Sequence, residues 1–187
     1  MSGYDIKKFV EIGLSHFWTE SYGQVFPTLN QLVADGLATK RDDCGTGRRK
    51  RFLYTITDRG SEALLEWLRA PSEPVKTRSE LTLKFFLSCR HEPGQSLRLL
   101  AEHRAHIEKR LADYYPSAAV LQAAMESGQL PEDVESLLTT ESESGETVDR
   151  KAEALMFYLT LRQGIVVLEA RLAWCEEATS ALSQSFE

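Results

Sequence analysis

The sequence predicts a mainly α fold in two parts: a head of roughly residues 1–70 and an all-α arm from about 75 to 187. Three observations carry this. Apolar residues recur every three or four positions through most of the chain. Strict alternation occurs in one stretch, residues 51–56. Pro71 and Pro74 punctuate the chain between the two parts.

In the head, Ser2 is placed to cap a helix starting at Gly3-Tyr4, with Asp5 near the positive end of its dipole. Ile6, Phe9, Val10 and Gly13 mark its buried face, and Lys7 and Lys8 lie on the other side. After a turn-like stretch, Val25, Leu29, Leu32 and Val33 define a second helix that Gly36 stops. Pro27 leaves two readings open: a regular helix beginning near Phe26, or one that starts near Ser21 and bends. Residues 37–41 read as a short strand and 42–47 as its turn. In the returning strand Phe52, Tyr54 and Ile56 share one face, and Arg51, Leu53 and Thr55 the other. Thr57 then caps a helix with an apolar stripe of Ala63, Leu64, Trp67 and Leu68; Trp18 and Trp67 are expected in the core.

In the arm, Leu83, Phe86 and Leu87 mark a short helix. Pro93 opens another, to about Tyr115, with a seam of Leu97, Leu100, Ile107, Leu111 and Tyr114 interrupted by Arg104. Residues 116–138 suggest one or two short helices, and 139–146 an acidic loop. The last helix, expected over 147–183, repeats Ala154, Tyr158, Leu161, Ile165, Leu168, Leu172 and Cys175 in heptads. At 1.5 Å per residue it reaches about 55 Å. A stripe of that length implies a partner chain, so Tyr158, Leu161, Ile165, Leu168 and Leu172 are expected to form a homodimer seam, together with the 93–115 helix.

The formal charge of −6 is unevenly spread. Up to Ala70, ten Lys and Arg oppose nine Asp and Glu; the rest carries 12 against 19. The head is therefore not repelled by phosphate as the whole chain would be. Cys44, Cys89 and Cys175 form no C-x-x-C pair, which fits a reduced, cytoplasmic protein. No apolar run reaches membrane-spanning length and no signal peptide opens the chain. Glycine-rich phosphate loops, G-x-S-x-G and H-E-x-x-H are all absent, so no enzyme and no cofactor is expected.

Two helices joined by a turn and followed by a hairpin form a winged helix-turn-helix, whose second helix fits the major groove of double-stranded DNA. Ser21, Tyr22 and Gln24 at its tip are the candidate base readers, and Gln24 is suited to a bidentate contact with adenine. Arg48, Arg49, Lys50 and Arg51 follow the hairpin turn and suit the phosphate backbone or a narrow minor groove. Lys7 and Lys8 complete the candidate DNA-binding set. Trp174, Tyr158, Phe85 and Phe86 are candidates for an effector pocket. His103 and His106 lie three apart beside Glu102, with Cys89 and His91 before them, but lack further ligands at a recognisable spacing, so no metal is expected. Cys44 in the hairpin turn is a weak candidate for oxidation.

Ser2-Gly3-Tyr4-Asp5-Ile6, then Phe17-Trp18, Ser21, Gly23-Gln24-Val25-Phe26-Pro27, Leu29, Leu32 and Gly36-Leu37, resemble the PadR family of bacterial transcriptional regulators. Arg51-Phe52-Leu53-Tyr54-Thr55-Ile56-Thr57 and Gly60 continue the likeness. The Leu161-Arg162-Gln163-Gly164-Ile165 stretch and Trp174 are similar to the virulence-activator-like branch. The resemblance implies a winged-helix head, a helical dimerisation arm, repression, less often activation, of nearby genes, and in some members release from DNA by small aromatic or cationic compounds. Two heads held in a dimer predict a pseudo-palindromic operator. Two departures stand out. Phe26 occupies a position where the family commonly has tyrosine, which removes a hydroxyl from any phosphate contact. The family's first helix normally precedes the Ser-Gly-Tyr-Asp motif, so the head is expected to lack it. The alternative reading is a helical dimerisation protein whose winged domain binds another protein rather than DNA.

Overall fold

The computed structural model describes residues 1–18, 22–43, 51–74, 78–138 and 149–185. The chain divides into two compact units: a head of Met1–Pro74 with Pro131–Thr147, and an arm of Val75–Leu130 with Val148–Glu187. Cys44, Ser21, the cations 48–50 and the acidic stretch 139–146 lie outside the described residues.

In the head, α1 (Gly3–Phe9) begins with a capping box and continues into a single π-helical turn at Val10–Leu14. Ser2 Oγ accepts from the Asp5 amide at 3.2 Å, and the Asp5 carboxylate accepts from the Ser2 amide at 2.9 Å. Helix α2 (Tyr22–Ala34) starts well before Pro27, which settles the two readings in favour of the earlier start. Proline there leaves the Gly23 carbonyl without its helical donor. The helix closes in a Schellman motif, with Gly36 at φ 71° and Leu37 N–H reaching Leu32 O at 2.9 Å.

Strands β1 (Ala38–Asp43) and β2 (Arg51–Ile56) pair antiparallel from Ala38 with Ile56 to Asp43 with Arg51. Ser2 adds an isolated bridge to Leu53. Thr57 then caps α3 (Asp58–Arg69), accepting from the Gly60 amide at 3.0 Å and donating to Gly36 O at 2.8 Å. A Cβ on Gly60 would lie 2.0 Å from the Leu37 carbonyl oxygen, so only glycine lets this turn rest on the hairpin's base. After α4 (Glu80–His91) and α5 (Pro93–Ser127), α6 (Glu132–Leu138) belongs to the head again and packs on α1, so the segment 131–138 does not join the arm's bundle.

The expected core role of Trp18, Trp67 and the α3 stripe is corrected: Trp67 is 69% exposed, and Leu64, Leu68 and Trp18 are also exposed. Within the head, α3 approaches Leu37 and Ile56 closely at Gly60, in its first turn, and the stripe lies beyond that contact.

The arm is built from α4, α5 and α7 (Arg150–Ser185). Ser88 and Ser96, both buried, share a 2.6 Å hydrogen bond that joins α4 to α5. The break expected near Tyr115 does not occur. Helix α5 runs through Pro116 to a left-handed cap at Gly128, because the apolar face continues on both sides of the proline: Leu111 and Tyr114 before it, Ala118 and Leu121 after. With 35 and 36 residues, α5 and α7 match in length and lie antiparallel. Gln122 Nε2 donates to Tyr158 Oη at 3.0 Å, Tyr115 Oη to Glu169 at 3.0 Å, and Arg104 reaches Glu176 at 3.6 Å. Arg104, the polar interruption of the seam, thus points to a carboxylate on the facing helix.

This pairing corrects the argument for the dimer seam. Leu161, Ile165 and Leu168 are buried inside the chain with Leu100, Ile107, Leu111 and Cys175, and Leu172 packs against the same cluster. The long stripe of α7 is covered by α5, which runs a dozen residues beyond the end that its periodicity predicts. On the opposite side of α7, Met156, Leu159, Val166 and Val167 are exposed.

Candidate nucleic-acid interface

Helix α2 turns Leu29 inward and leaves Gln24, Pro27, Thr28 and Gln31 exposed at spacings of three, four and seven. Gln24 is thus on the outer face, and Tyr22 opens the helix. A reading confined to the helix tip misses Thr28 and Gln31. Their signal is present in the sequence, since counting from Gln24 opposite Leu29 reaches both. Gln31 donates to Asp35 at 2.9 Å.

Packing of α1 on α2 is close: a Cβ on Gly3 would sit 2.6 Å from the Phe26 ring. The Phe26 ring therefore rests against the N-terminal turn of α1. Lys7 and Lys8 occupy the last turn of α1, both half-buried, with Lys7 Nζ 5.7 Å from the centre of the Tyr4 ring.

On the hairpin, Lys40 lies over the Phe52 ring at 4.1 Å and donates to Asn30 of α2 at 3.2 Å. It fastens β1 to α2. Arg51 is also engaged: its Nη2 lies 2.8 Å and 3.1 Å from the two carboxylate oxygens of Asp5. Burial pushes the Asp5 carboxyl up, but hydrogen bonds from Ser2 and the Arg51 guanidinium outweigh it and hold the group below its ordinary value.

The effector candidates do not converge on one pocket. Phe85 and Trp174 meet edge to face, with centroids 5.6 Å apart. Phe86 is exposed. Tyr158 precedes Trp174 by about 24 Å along the same helix. The grouping of all four is therefore corrected to the Phe85–Trp174 pair. His103 is held below its usual pKa by partial burial, then by the charges of Arg171 and His106. Among the described residues no group of three His, Cys, Asp or Glu is placed to hold a metal ion.

Helix-turn-helix, wing and long antiparallel arm together define a winged helix-turn-helix protein with a helical accessory domain. Residues 1–66 match the transcriptional regulator PadR-like family, and residues 77–183 match the virulence activator alpha C-terminal family. The negative transcriptional regulator PadR of Bacillus subtilis is 31% identical over 130 residues, 67% of this chain and 70% of that protein. Among solved structures, the Vibrio cholerae virulence activator AphA aligns with TM-score 0.70 at 25% identity, covering 98% of this chain and 90% of its own. Bacillus subtilis PadR in complex with operator DNA aligns with TM-score 0.69 at 22% identity, covering 97% of this chain and 91% of its own. The same protein in complex with p-coumaric acid aligns with TM-score 0.63 at 23% identity, covering 98% of this chain and 90% of its own. The chain belongs to the PadR-like family of transcriptional regulators.

Proposed function

We propose that the protein is a homodimeric repressor that acts in the cytoplasm by binding double-stranded DNA at a pseudo-palindromic operator. The observation that carries this is the exposed polar face of α2, directly preceding the hairpin. Ser21, Tyr22, Gln24, Thr28 and Gln31 would read base edges, while Lys7, Lys8, Arg48, Arg49 and Lys50 contact phosphate. Repression is supported by the name of the Bacillus subtilis relative.

The dimer contact moves to the apolar residues that α5 leaves uncovered on α7: Met156, Leu159, Val166 and Val167. Two heads held in this way would address half-sites one or two turns apart. Release by a small aromatic effector is supported by the p-coumaric acid complex of Bacillus subtilis PadR. The Phe85–Trp174 pair offers such a compound an aromatic surface. Head spacing is the variable an effector would change.

Binding to DNA from the region upstream of its own gene, titrated with salt, tests the reading. Log affinity should fall steeply with log salt. The triple variant Arg48→Ala, Arg49→Ala, Lys50→Ala should flatten the slope by about 0.9 for each phosphate it no longer neutralises. Absence of salt-dependent binding to any duplex would reject DNA recognition. It would favour the protein-binding alternative, to which the exposed α3 stripe of Leu64, Trp67 and Leu68 lends support.

A further inference from the structure

Arg51 continues the run of wing cations in sequence, yet its surroundings differ from those of a phosphate ligand. It is the first residue of β2, paired with Asp43 at the root of the wing. Its guanidinium places one nitrogen between both oxygens of Asp5, 46 positions earlier. That carboxylate also accepts from the amide and the hydroxyl of Ser2, at 2.9 and 2.8 Å. Ser2 is 2% exposed and bridges Leu53 of β2. The next residue, Gly3, seats α1 on Phe26 of α2. A polar network therefore runs from the base of the wing to the cap of α1, and the apolar contact of Gly3 with Phe26 continues the connection to α2, the helix whose outer face would meet the bases.

We propose that Arg51 is a positioning residue: paired with Asp5, it fixes the root of the wing to the helix-turn-helix and so sets where the preceding cations meet the backbone. This rests on the DNA-binding role proposed for the head. The physical reason is charge balance. A guanidinium already neutralised by a carboxylate about 3 Å away draws few mobile anions, and a phosphate brought to it would also face Asp5. Arg51 therefore contributes alignment without adding to counterion release.

The test uses full-length protein and two fluorescent duplexes of equal length, one from the gene's own upstream region and one of random sequence. Anisotropy titrations over a range of salt compare the wild type with Arg51→Ala, Asp5→Asn, the double variant, and the triple wing variant as a reference. Asp5→Asn keeps an oxygen for the Ser2 amide and removes the charge. Thermal melts followed by circular dichroism, without DNA, form a second and independent cycle.

The expected result is that Arg51→Ala and Asp5→Asn each weaken binding to the upstream duplex by about three- to fivefold, with the salt slope unchanged. The double variant should be no weaker than the worse single one, and the melts should be non-additive in the same sense. The reference variant alone should flatten the slope. The proposal is overturned if Arg51→Ala flattens the slope by about 0.9 while Asp5→Asn binds more tightly, because Arg51 would then be a phosphate ligand that Asp5 restrains. It is also overturned if Arg51→Ala changes neither affinity nor slope, or if the melts are additive. Should wild-type protein bind neither duplex, the DNA-binding reading falls and this role with it. Intact wild-type binding beside an additive melt cycle removes only the role of Arg51.

Discussion

In the arm, seven buried side chains of α5 and α7 form one cluster, with Leu100, Ile107, Ile165 and Cys175 almost fully enclosed. In the head, Leu29 and Tyr54 are the only large apolar side chains buried among the described residues, and neither is as fully enclosed as those four. The head depends instead on short-range backbone devices: a capping box, a Schellman turn, a threonine cap, and two glycines that admit a neighbour at close range. The arm gains stability from apolar area, which grows with helix length. The head uses directional contacts that place an exposed helix face. A reading surface must stay uncovered, so fewer of its side chains are free to build a core.

The two regions should respond differently to substitution. The largest effect is expected in the arm. Ile165→Ala, at a site with no exposure, should lower unfolding stability by about 3 kcal/mol, read as a shift in urea midpoint. A drop below about 1 kcal/mol would mean that the seam is looser than its burial implies.

Next is a head site with no side chain at all. Gly60→Ala puts a methyl 2.0 Å from a backbone oxygen, where relief requires moving the helix. The expected cost is about 2 kcal/mol, with a broadened, less cooperative melt of the head. Gly3→Ala meets the edge of the Phe26 ring, a side chain free to shift, and should cost less.

Thr57→Ala removes the cap of α3 and a bond to Gly36, and should cost about 1 kcal/mol. Thr57→Ser, which keeps the hydroxyl, should recover most of it in the same melt.

The smallest effect concerns pH. Because the Asp5 carboxyl is held below its ordinary value in the fold, its contribution is complete above the unfolded pKa of about 4 and is lost as pH falls through the lower folded value. Stability measured from about pH 6 downward should therefore decline less steeply in Asp5→Asn than in wild type. Equal acid limbs would show that the Ser2 and Arg51 contacts do not favour the charged form.

Much of the fold was legible in the residues. Ser2 with Asp5, Gly36, Thr57 and the alternation of 51–56 announce their elements through local chemistry, and the structure uses each as expected. Gln24 is legible because a helix tip is recognisable. Thr28 and Gln31 follow from the same periodicity one and two turns on. The end of α5 was not legible: Pro116 weighs against a helix locally, and the apolar contacts that carry the helix through it come from α7, beyond any local window.

Periodicity in the sequence determined that α7 has an apolar stripe and that Arg51 lies at the start of a strand. Only the tertiary structure decided what each one faces: α5 for the stripe, Asp5 for the arginine. The physical reason is range. A repeat of three and four residues fixes which side of a helix is apolar, because the backbone sets that geometry within a few bonds. It carries no information about which distant segment arrives to cover that side. A charged side chain likewise advertises its sign, while its partner is chosen by the fold that brings residues 46 positions apart to 2.8 Å.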